Sequence, residues 1–413
     1  KFIKPSTIEE INNFKSKKLG QGNHLSYAPV SFTNGLGVKV DSDTFEIDTT
    51  KNTLYVSSSK TIGEIINKIL KKGFTLFNIP SHPEVTIGGA IANNVHGKNQ
   101  YLYKNFGDNI IEIDLLYNNS IEKISKENKQ ELFYATIGGL GLTGIIFAAK
   151  IKIQKIDKRI IKIKKKKISS LKAVANYYDE NVFKKYDFLY TWNDLNNKSS
   201  FGRGFIFFEK YQKYKEKKFF DKKYLKNPIY KSKKMIFYKI FGNYIIMFMN
   251  FLFYFLNNQK INNSTFQTIV ENNFSNKKQI YFDTATNLEM IEIQLIVPID
   301  IWNNFCDMLE KNIKKYNIFI FLSVCKYSKG EKKYLSFSGN GINIAINFRH
   351  QKGCEFLKNL DKFIISNDLI NYICKDFRSN KITIKKIFKD EYVKFNYVLK
   401  KYLINNINSN IFS

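Results

Sequence analysis

One segment constrains the fold more than any other: Pro80-Ser81-His82-Pro83-Glu84-Val85-Thr86-Ile87-Gly88-Gly89-Ala90-Ile91-Ala92-Asn93-Asn94-Val95-His96-Gly97-Lys98-Asn99. Side chains are absent or small at Gly88, Gly89, Ala90 and Ala92, so a large ligand can approach the backbone and N–H groups can cradle its phosphates. Two more glycine segments flank it. Gly20-Gln21-Gly22-Asn23 precedes His24 and Tyr27, and Gly138-Gly139-Leu140-Gly141-Leu142-Thr143-Gly144 precedes an apolar run. None has the Rossmann spacing at a strand-to-helix turn. Each alone reads equally well as a tight turn; in this order they suit a dinucleotide.

Short elements surround these loops. Ile8, Ile11 and Phe14 recur at helical spacing over Thr7–Lys17, behind a Ser6/Thr7 cap and the acidic first turn Glu9/Glu10. Alternation predicts strands at Gly37–Val40, Thr44–Ile47 and Thr53–Val56. Ile62, Ile65, Ile66 and Ile69 predict an amphipathic helix over Thr61–Lys72, closed by Gly73. A strand at Ile110–Tyr117, a helical turn at Glu131–Thr136 and an apolar strand at Gly144–Ile153 complete a compact α+β unit.

At 413 residues the chain exceeds one ordinary hydrophobic core, so two domains, or one interrupted by another, are expected. The basic run Lys155–Lys167, alternating with Ile, predicts an edge strand and marks a boundary. Beyond it, Asn257–Asn276 reads as a loop. Strands are expected at Ile291–Pro298, Ile318–Val324, Tyr334–Phe337 and Asn343–Phe348, with helices at Trp302–Lys314 and Asp390–Asn405.

The formal charge is +30, nearly all of the excess being lysine. No helix-turn-helix, zinc or RNA-binding signature accompanies it, so nucleic acid is not the expected partner. An anionic membrane surface or a phosphate-bearing substrate suits the same charge. Met235–Leu256 is apolar apart from Lys239 and a few polar residues, and it follows the lysine-rich stretch Lys213–Lys234. Three readings stay open for it: a membrane span, a buried helix, or an element lying on a membrane surface. Cys306, Cys325, Cys354 and Cys374 match neither zinc nor disulfide-framework spacing, so reduced thiols, no metal site and cytoplasmic residence, with peripheral contact at the inner face of the plasma membrane, are expected. The N-terminus lacks the apolar core of a signal peptide. Paired glycosidase carboxylates and a nucleophile elbow are missing from the sequence.

Taken in order, GQGNHLSY, TIGGAIANNVHGKN and ELFYATIGGLGLTGII resemble the flavin domain of the vanillyl-alcohol-oxidase and p-cresol-methylhydroxylase (PCMH) superfamily. Nearer the C-terminus, Leu335-Ser336-Phe337, Asn343-Ile344-Ala345-Ile346-Asn347-Phe348 and Tyr372-Ile373-Cys374-Lys375-Asp376-Phe377-Arg378 resemble the substrate-side motifs of its oxidases of polyprenyl-phosphate-linked ribose. The resemblance implies an α+β chain with a two-part PCMH-type FAD-binding domain, residues 1–157 and 370–413. An antiparallel-sheet substrate domain, 158–369, would be inserted between the parts and would carry the apolar segment 235–256.

By position, the resemblance assigns flavin contacts to Gly20, Gln21, Gly22 and Asn23 of the first loop. From the second come Ser81, His82, Thr86, Gly88, Gly89, Ala90, Asn93, His96 and Gly97, and from the third Gly139, Gly144 and Ile146. Lys375, His96 and Tyr27 would be catalytic, with Tyr372, Asn343, Lys326, Gln294, Trp192 and Lys98 around the substrate. On residue type alone, Lys375 beside Asp376 and Arg378 is a surface ion-pair cluster.

Two departures stand out. Ala345 occupies the position of a pocket cysteine, and Leu25-Ser26-Tyr27-Ala28-Pro29 replaces a motif that usually carries glycine and aspartate. Some members of the superfamily attach flavin through an early histidine, here His24, but the nearer relatives hold FAD non-covalently. The implied reaction is oxidation at C2 of the lipid-linked ribose, with a short-chain reductase completing an epimerisation to an arabinose donor. The rivals are an aldonolactone or alditol oxidase and a basic membrane- or nucleic-acid-binding protein without catalysis.

Overall fold

The fold is described from a computed structural model that covers all residues except 1, 6–7, 14–15, 158–159, 198, 214–235, 275–289, 350–353, 406, 408 and 413. The first region holds two sheets. β1 (Phe2–Ile3), β2 (Lys18–Gly20) and β3 (Leu36–Val38) pair in parallel in the order β1-β3-β2. β4 (Phe45–Asp48), β5 (Thr53–Ser57), β6 (Phe74–Leu76), β7 (Ile110–Tyr117), β8 (Ser120–Ser125) and β9 (Ile145–Lys155) form the second, in the order β4-β5-β9-β7-β8 with β6 also on β9.

The helix Ile62–Ile69 shows why these elements form where they do. Thr61 accepts from the Glu64 N–H while Glu64 accepts from the Thr61 N–H, a reciprocal cap that satisfies two otherwise orphaned donors. Ile62, Ile65, Ile66 and Ile69 are fully buried, each burial contributing about 1.5–3 kcal/mol. A 3-10 turn at Leu70–Lys72 then reaches Gly73, whose φ of 80° lets the chain turn into β6. The N-terminal helix is shorter than its periodicity suggested, Ile8–Asn12. Ser6, Thr7 and Phe14 lie outside the described residues.

The second region is an eight-stranded antiparallel sheet. Its strands are β10 (Ile160–Ile168), β11 (Phe188–Asp194), β12 (Arg203–Gln212), β13 (Thr265–Thr268), β14 (Met290–Val297), β15 (Ile320–Ser328), β16 (Gly341–Arg349) and β17 (Ile370–Asn371). Their order is β13-β10-β12-β11-β15-β16-β14-β17. β10 lies between β13 and β12 over Ile160–Ile163, and among the described residues Lys164–Lys167 pair with β12 alone, so the expected edge strand is an edge only over that half. One face is covered by the helices Trp302–Lys315 and Glu355–Ser366, with Phe356 set edge-on against Phe348 at 5.3 Å.

The C-terminus returns to the first region. The helix Lys381–Lys401 contacts Gln130–Thr136, Ile407 bridges Lys18, and Ser409 Oγ donates to Val30 O at 2.8 Å. This helix begins well before Asp390, capped by Asn380, because a kink at Lys389 (φ 44°) breaks the periodicity that would have revealed its first half.

Two further expectations are corrected. Tyr334–Phe337 is not a strand: Ser336 Oγ accepts from Asn94 Nδ2 (2.6 Å) and Phe337 O from Asn105 Nδ2 (2.6 Å), so side chains of the first region satisfy it. Asn257–Asn276 is not a loop. The helix Ile236–Gln259 runs into it, and β13 and a helix at Ile269–Phe274 follow, opened by a Thr268/Glu271 cap. Met235 and most of the lysine-rich stretch Lys213–Lys234 lie outside the described residues. Among those described, no helix is long and apolar enough to cross a membrane. Within this segment, most of the described side chains from Met247 to Leu256 are exposed.

Candidate active site

The uncovered face of the large sheet forms the floor of the site. Side chains alternate across a strand, so Tyr190 and Trp192 of β11, Lys326 of β15, Glu292 and Gln294 of β14, and Asn343, Ala345 and Asn347 of β16 share one face. Register gathers them into a patch: Tyr190 opposes Lys326, Lys326 opposes Asn343, Ala345 opposes Gln294 and Asn347 opposes Glu292. All of these line one cavity of about 1210 Å³, above the usual size of a small-ligand pocket.

The glycine segments form the opposite wall, packed on one another. A Cβ at Gly22 would lie 2.5 Å from Thr86 Oγ1, and one at Gly20 would lie 3.6 Å from Ile145 Cγ2. At Gly144, φ is 153° and a Cβ would meet Leu116 O at 2.6 Å, so glycine is required there. Gln21, Asn23, Ser81, His82, Thr86 and Ile146 line the cavity, as do Gly20, Gly22, Gly88, Gly89, Asn93 and Gly144.

Three positions assigned to the flavin lie behind this wall. Ala90 is fully buried on the inner side of its helix. A Cβ at Gly97 would be 2.8 Å from Asn99 Oδ1, and one at Gly139 would be 2.0 Å from Ala135 O. None of the three lines the cavity. The cradle itself also moves. The N–H groups of Gly88 and Gly89 already donate to Ser58 O (2.9 Å) and Thr86 Oγ1 (3.2 Å). Among the described residues, those of Gly22 to Ser26 have no backbone carbonyl as acceptor.

These features fit FAD. The cavity is large enough, the first loop supplies uncommitted N–H donors for phosphates, and Asn93 Oδ1 is buried at the wall without a donor. His24, exposed in that loop, has its Nδ1 3.1 Å from Ser31 Oγ. Burial, with the charge of Lys375 second, pushes His82 down to about 4.

The floor and the wall meet through the C-terminal motif. Cys374 O accepts from the N–H groups of Tyr27 (2.9 Å) and Ala28 (3.1 Å), the Tyr372 N–H donates to Gln294 O (2.9 Å), and Tyr372 Oη donates to Asn93 O (3.1 Å). Lys375 is thereby turned inward. Its Nζ lies 3.4 Å from Glu292 Oε1 and 4.7 Å over the Tyr27 ring. Burial opposes its charge, but Glu292 and then Tyr27 outweigh burial and raise it to about 12, so it is an ammonium. Lys375 is therefore not part of a surface cluster with its sequence neighbours: among the described residues, Asp376 (2.7 Å) and Asp361 (2.8 Å) pair with Arg378. Burial raises the Tyr27 hydroxyl above its ordinary range.

His96 sits in a chain of amides. Gln294 Nε2 donates to His96 Nε2 and to Asn343 Oδ1, both at 2.8 Å, and Asn343 Nδ2 donates to Gln100 Oε1 at 2.9 Å. Because an amide nitrogen can only donate, the His96 Nε2 lone pair is engaged and its proton belongs on Nδ1, 3.4 Å from Gly97 O. Burial first, then the charge of Lys326, holds it well below its ordinary range. His96 is thus a fixed neutral imidazole beside the stacked pair Phe337 (5.6 Å) and Tyr372 (5.8 Å), not a poised base.

Lys98 and Lys326 separate. The Lys98 ammonium contacts both Glu209 carboxylate oxygens (3.1 Å) and Asn272 Oδ1 (2.8 Å), and it sits 4.6 Å over Tyr190. It borders the cavity with its charge already spent inside the protein. Among the described residues Lys326 has no such ion pair; burial, opposed by Glu292 and aided by Lys375 and Lys98, lowers it to about 8. The Trp192 ring packs against Phe253 at 4.6 Å, tilted by 50°. Glu292 escaped sequence reasoning, although Glu292-Ile-Gln294 is a period-2 spacing that puts both side chains on one face. Asn347 Nδ2 donates to its Oε2 at 3.0 Å.

Comparison with known proteins agrees with this geometry. Residues 6–121 match the FAD binding domain family. The chain is 24% identical over 391 residues to decaprenylphosphoryl-β-D-ribose oxidase of Mycolicibacterium smegmatis, covering 87% of the chain and 81% of that protein. Shorter similarities run to cytokinin dehydrogenase 3 of Arabidopsis thaliana, 30% identical over 124 residues (30% of the chain, 22% of that protein), and to human Δ(24)-sterol reductase, 26% over 134 residues (32% and 26%). The fold, the glycine wall and these similarities together make the chain an FAD-dependent oxidoreductase with a PCMH-type FAD-binding domain.

Proposed function

We propose that the enzyme oxidises the C2 hydroxyl of a polyprenyl-phosphate-linked ribose to a keto-sugar. The observation that carries this is the Glu292–Lys375 pair on the sheet face, opposite the glycine wall and in the same cavity as Lys326. Similarity along most of the chain to an enzyme named for decaprenylphosphoryl-β-D-ribose supports the substrate class.

Bound FAD supplies the hydride acceptor. As the carbinol C–H bond breaks, the hydroxyl proton passes to the Glu292 carboxylate and the C=O bond forms. The Lys375 ammonium stabilises negative charge developing on that oxygen. Lys326, oriented by its place opposite Asn343, receives the phosphate. His96 and Asn343, fixed by Gln294, hold the ring, and Trp192 with Phe253 offers an apolar surface to the lipid's first isoprene units.

A keto-sugar regains a hydroxyl of opposite configuration when hydride arrives on its other face, so a short-chain reductase is the partner reaction. FAD is held non-covalently. Under anaerobic conditions, a polyprenyl-phosphoryl ribose should bleach the flavin while free alditols and aldonolactones leave it yellow. The reverse pattern would establish an alditol or aldonolactone oxidase instead.

A further inference from the structure

The helix Ile236–Gln259 carries an apolar surface that the described protein leaves uncovered. Seven of the ten side chains from Met247 to Leu256 are large hydrophobics between 40% and 61% exposed, with Phe248 and Phe251 the extremes of a stripe continued by Phe255. Soluble proteins scatter such residues singly, and a contiguous patch marks a contact surface. The helix is held along one edge. Tyr254 packs on Phe205 at 5.2 Å beneath the Arg203 guanidinium (4.3 Å), and Asn257 Oδ1 accepts from Lys165 Nζ at 2.9 Å.

Charge around the patch has a single sign. From Ile236 to Val270, along the helix and its exit, the sequence contains no acidic residue and two lysines, Lys239 and Lys260. Lys260 follows the helix, and Lys164–Lys167 of β10, which among the described residues pair with β12 alone, run nearby through Lys165. A two-fold pairing of this surface with a second copy would set like charges against each other. Phenylalanines flanked by lysines suit an anionic bilayer, rings below the head groups and ammonium groups at the phosphates.

We infer that this helix docks the enzyme on an anionic phospholipid surface and opens the cavity toward it. Met249, Asn250, Phe253, Asn257 and Lys260, on the side away from the Phe248–Phe251–Phe255 stripe, line the cavity. Docking therefore sets the cavity mouth at the lipid–water boundary, where a lipid-anchored phosphate can enter while its chain stays in the bilayer. The surface goes beyond the reading of the sugar, since vesicle binding requires no substrate.

Sedimentation of the flavin-loaded full chain with vesicles tests it. Binding to phosphatidylcholine vesicles containing phosphatidylglycerol should exceed binding to pure phosphatidylcholine by about tenfold or more and should weaken with salt. The triple variant Phe248→Glu/Phe251→Glu/Phe255→Glu should lose that binding about tenfold or more while keeping its flavin spectrum. As an independent readout, Phe251→Trp should gain emission that brominated lipid quenches. Equal recovery in the supernatant with both vesicle types, or no quenching of the added tryptophan, overturns the inference. So does a stable dimer that the triple variant dissociates and that ignores vesicles.

Discussion

Replacing Lys375 with Met removes the ammonium and keeps much of the side-chain volume, and two separable losses should follow. At 3.4 Å and an effective dielectric of about 20, the attraction between Lys375 and Glu292 is about 5 kcal/mol. Desolvation offsets part of it, and stranding a nearly buried carboxylate costs about 3–5 kcal/mol unless it takes up a proton. Stability should therefore fall by a few kcal/mol. Flavin reduction should slow by about 10²–10³, the usual loss when a donor aimed at developing charge is removed. The double variant Lys375→Met/Glu292→Gln distinguishes the two effects, because an amide strands no charge: stability should recover toward the parent while reduction stays slow. Urea unfolding gives the first quantity and anaerobic stopped-flow bleaching by a polyprenyl-phosphoryl ribose the second. Reduction within a factor of about ten of the parent in the single variant, or recovered in the double, would refute the charge-stabilising role.

Other outcomes follow from the same structure. Glu209→Ala leaves the Lys98 ammonium buried and unpaired, so stability should drop by about 3–5 kcal/mol in urea titrations. Neutral His96 and His82 have folded values below the 6.5 of the unfolded chain, so the unfolded state binds more protons in acid. Stability is then complete above pH 6.5 and declines below it, by about 1.4 kcal/mol per pH unit for each histidine, with His82 contributing down to about pH 4. Chemical denaturation across that window would show a reduced slope if one ring were protonated in the native state and a flat response if both were. Acid precipitation should release all yellow colour into the supernatant, and a yellow pellet lost in His24→Ala would reveal a covalent link instead.

How much of this was legible in the sequence depended on the range of the interaction. The Ile62–Ile69 helix was readable because its cap, its apolar face and its terminating glycine are local. The Ile269–Phe274 helix carried the same kind of signal in Thr268 and Glu271, hidden by surrounding asparagines. The first half of Lys381–Lys401 escaped because the kink at Lys389 breaks the helix's periodicity. At the site, the resemblance nominated Lys375, but residue types could not decide between Asp376 beside it and Glu292 across the sheet. Register decides that, and register is a long-range property. Likewise Lys98 looks like a substrate ligand until Glu209, far away in sequence, is seen to neutralise it. Gly139 looks like Gly144, but one faces Ala135 and the other the cavity.

The most direct test of the central claim is the visible absorbance of the purified full chain. An FAD-dependent enzyme should show the oxidised flavin spectrum at about one FAD per chain, and the flavin should bleach when reduced. A folded protein that is colourless as purified, and whose spectrum and stability are indifferent to added FAD, would contradict the account.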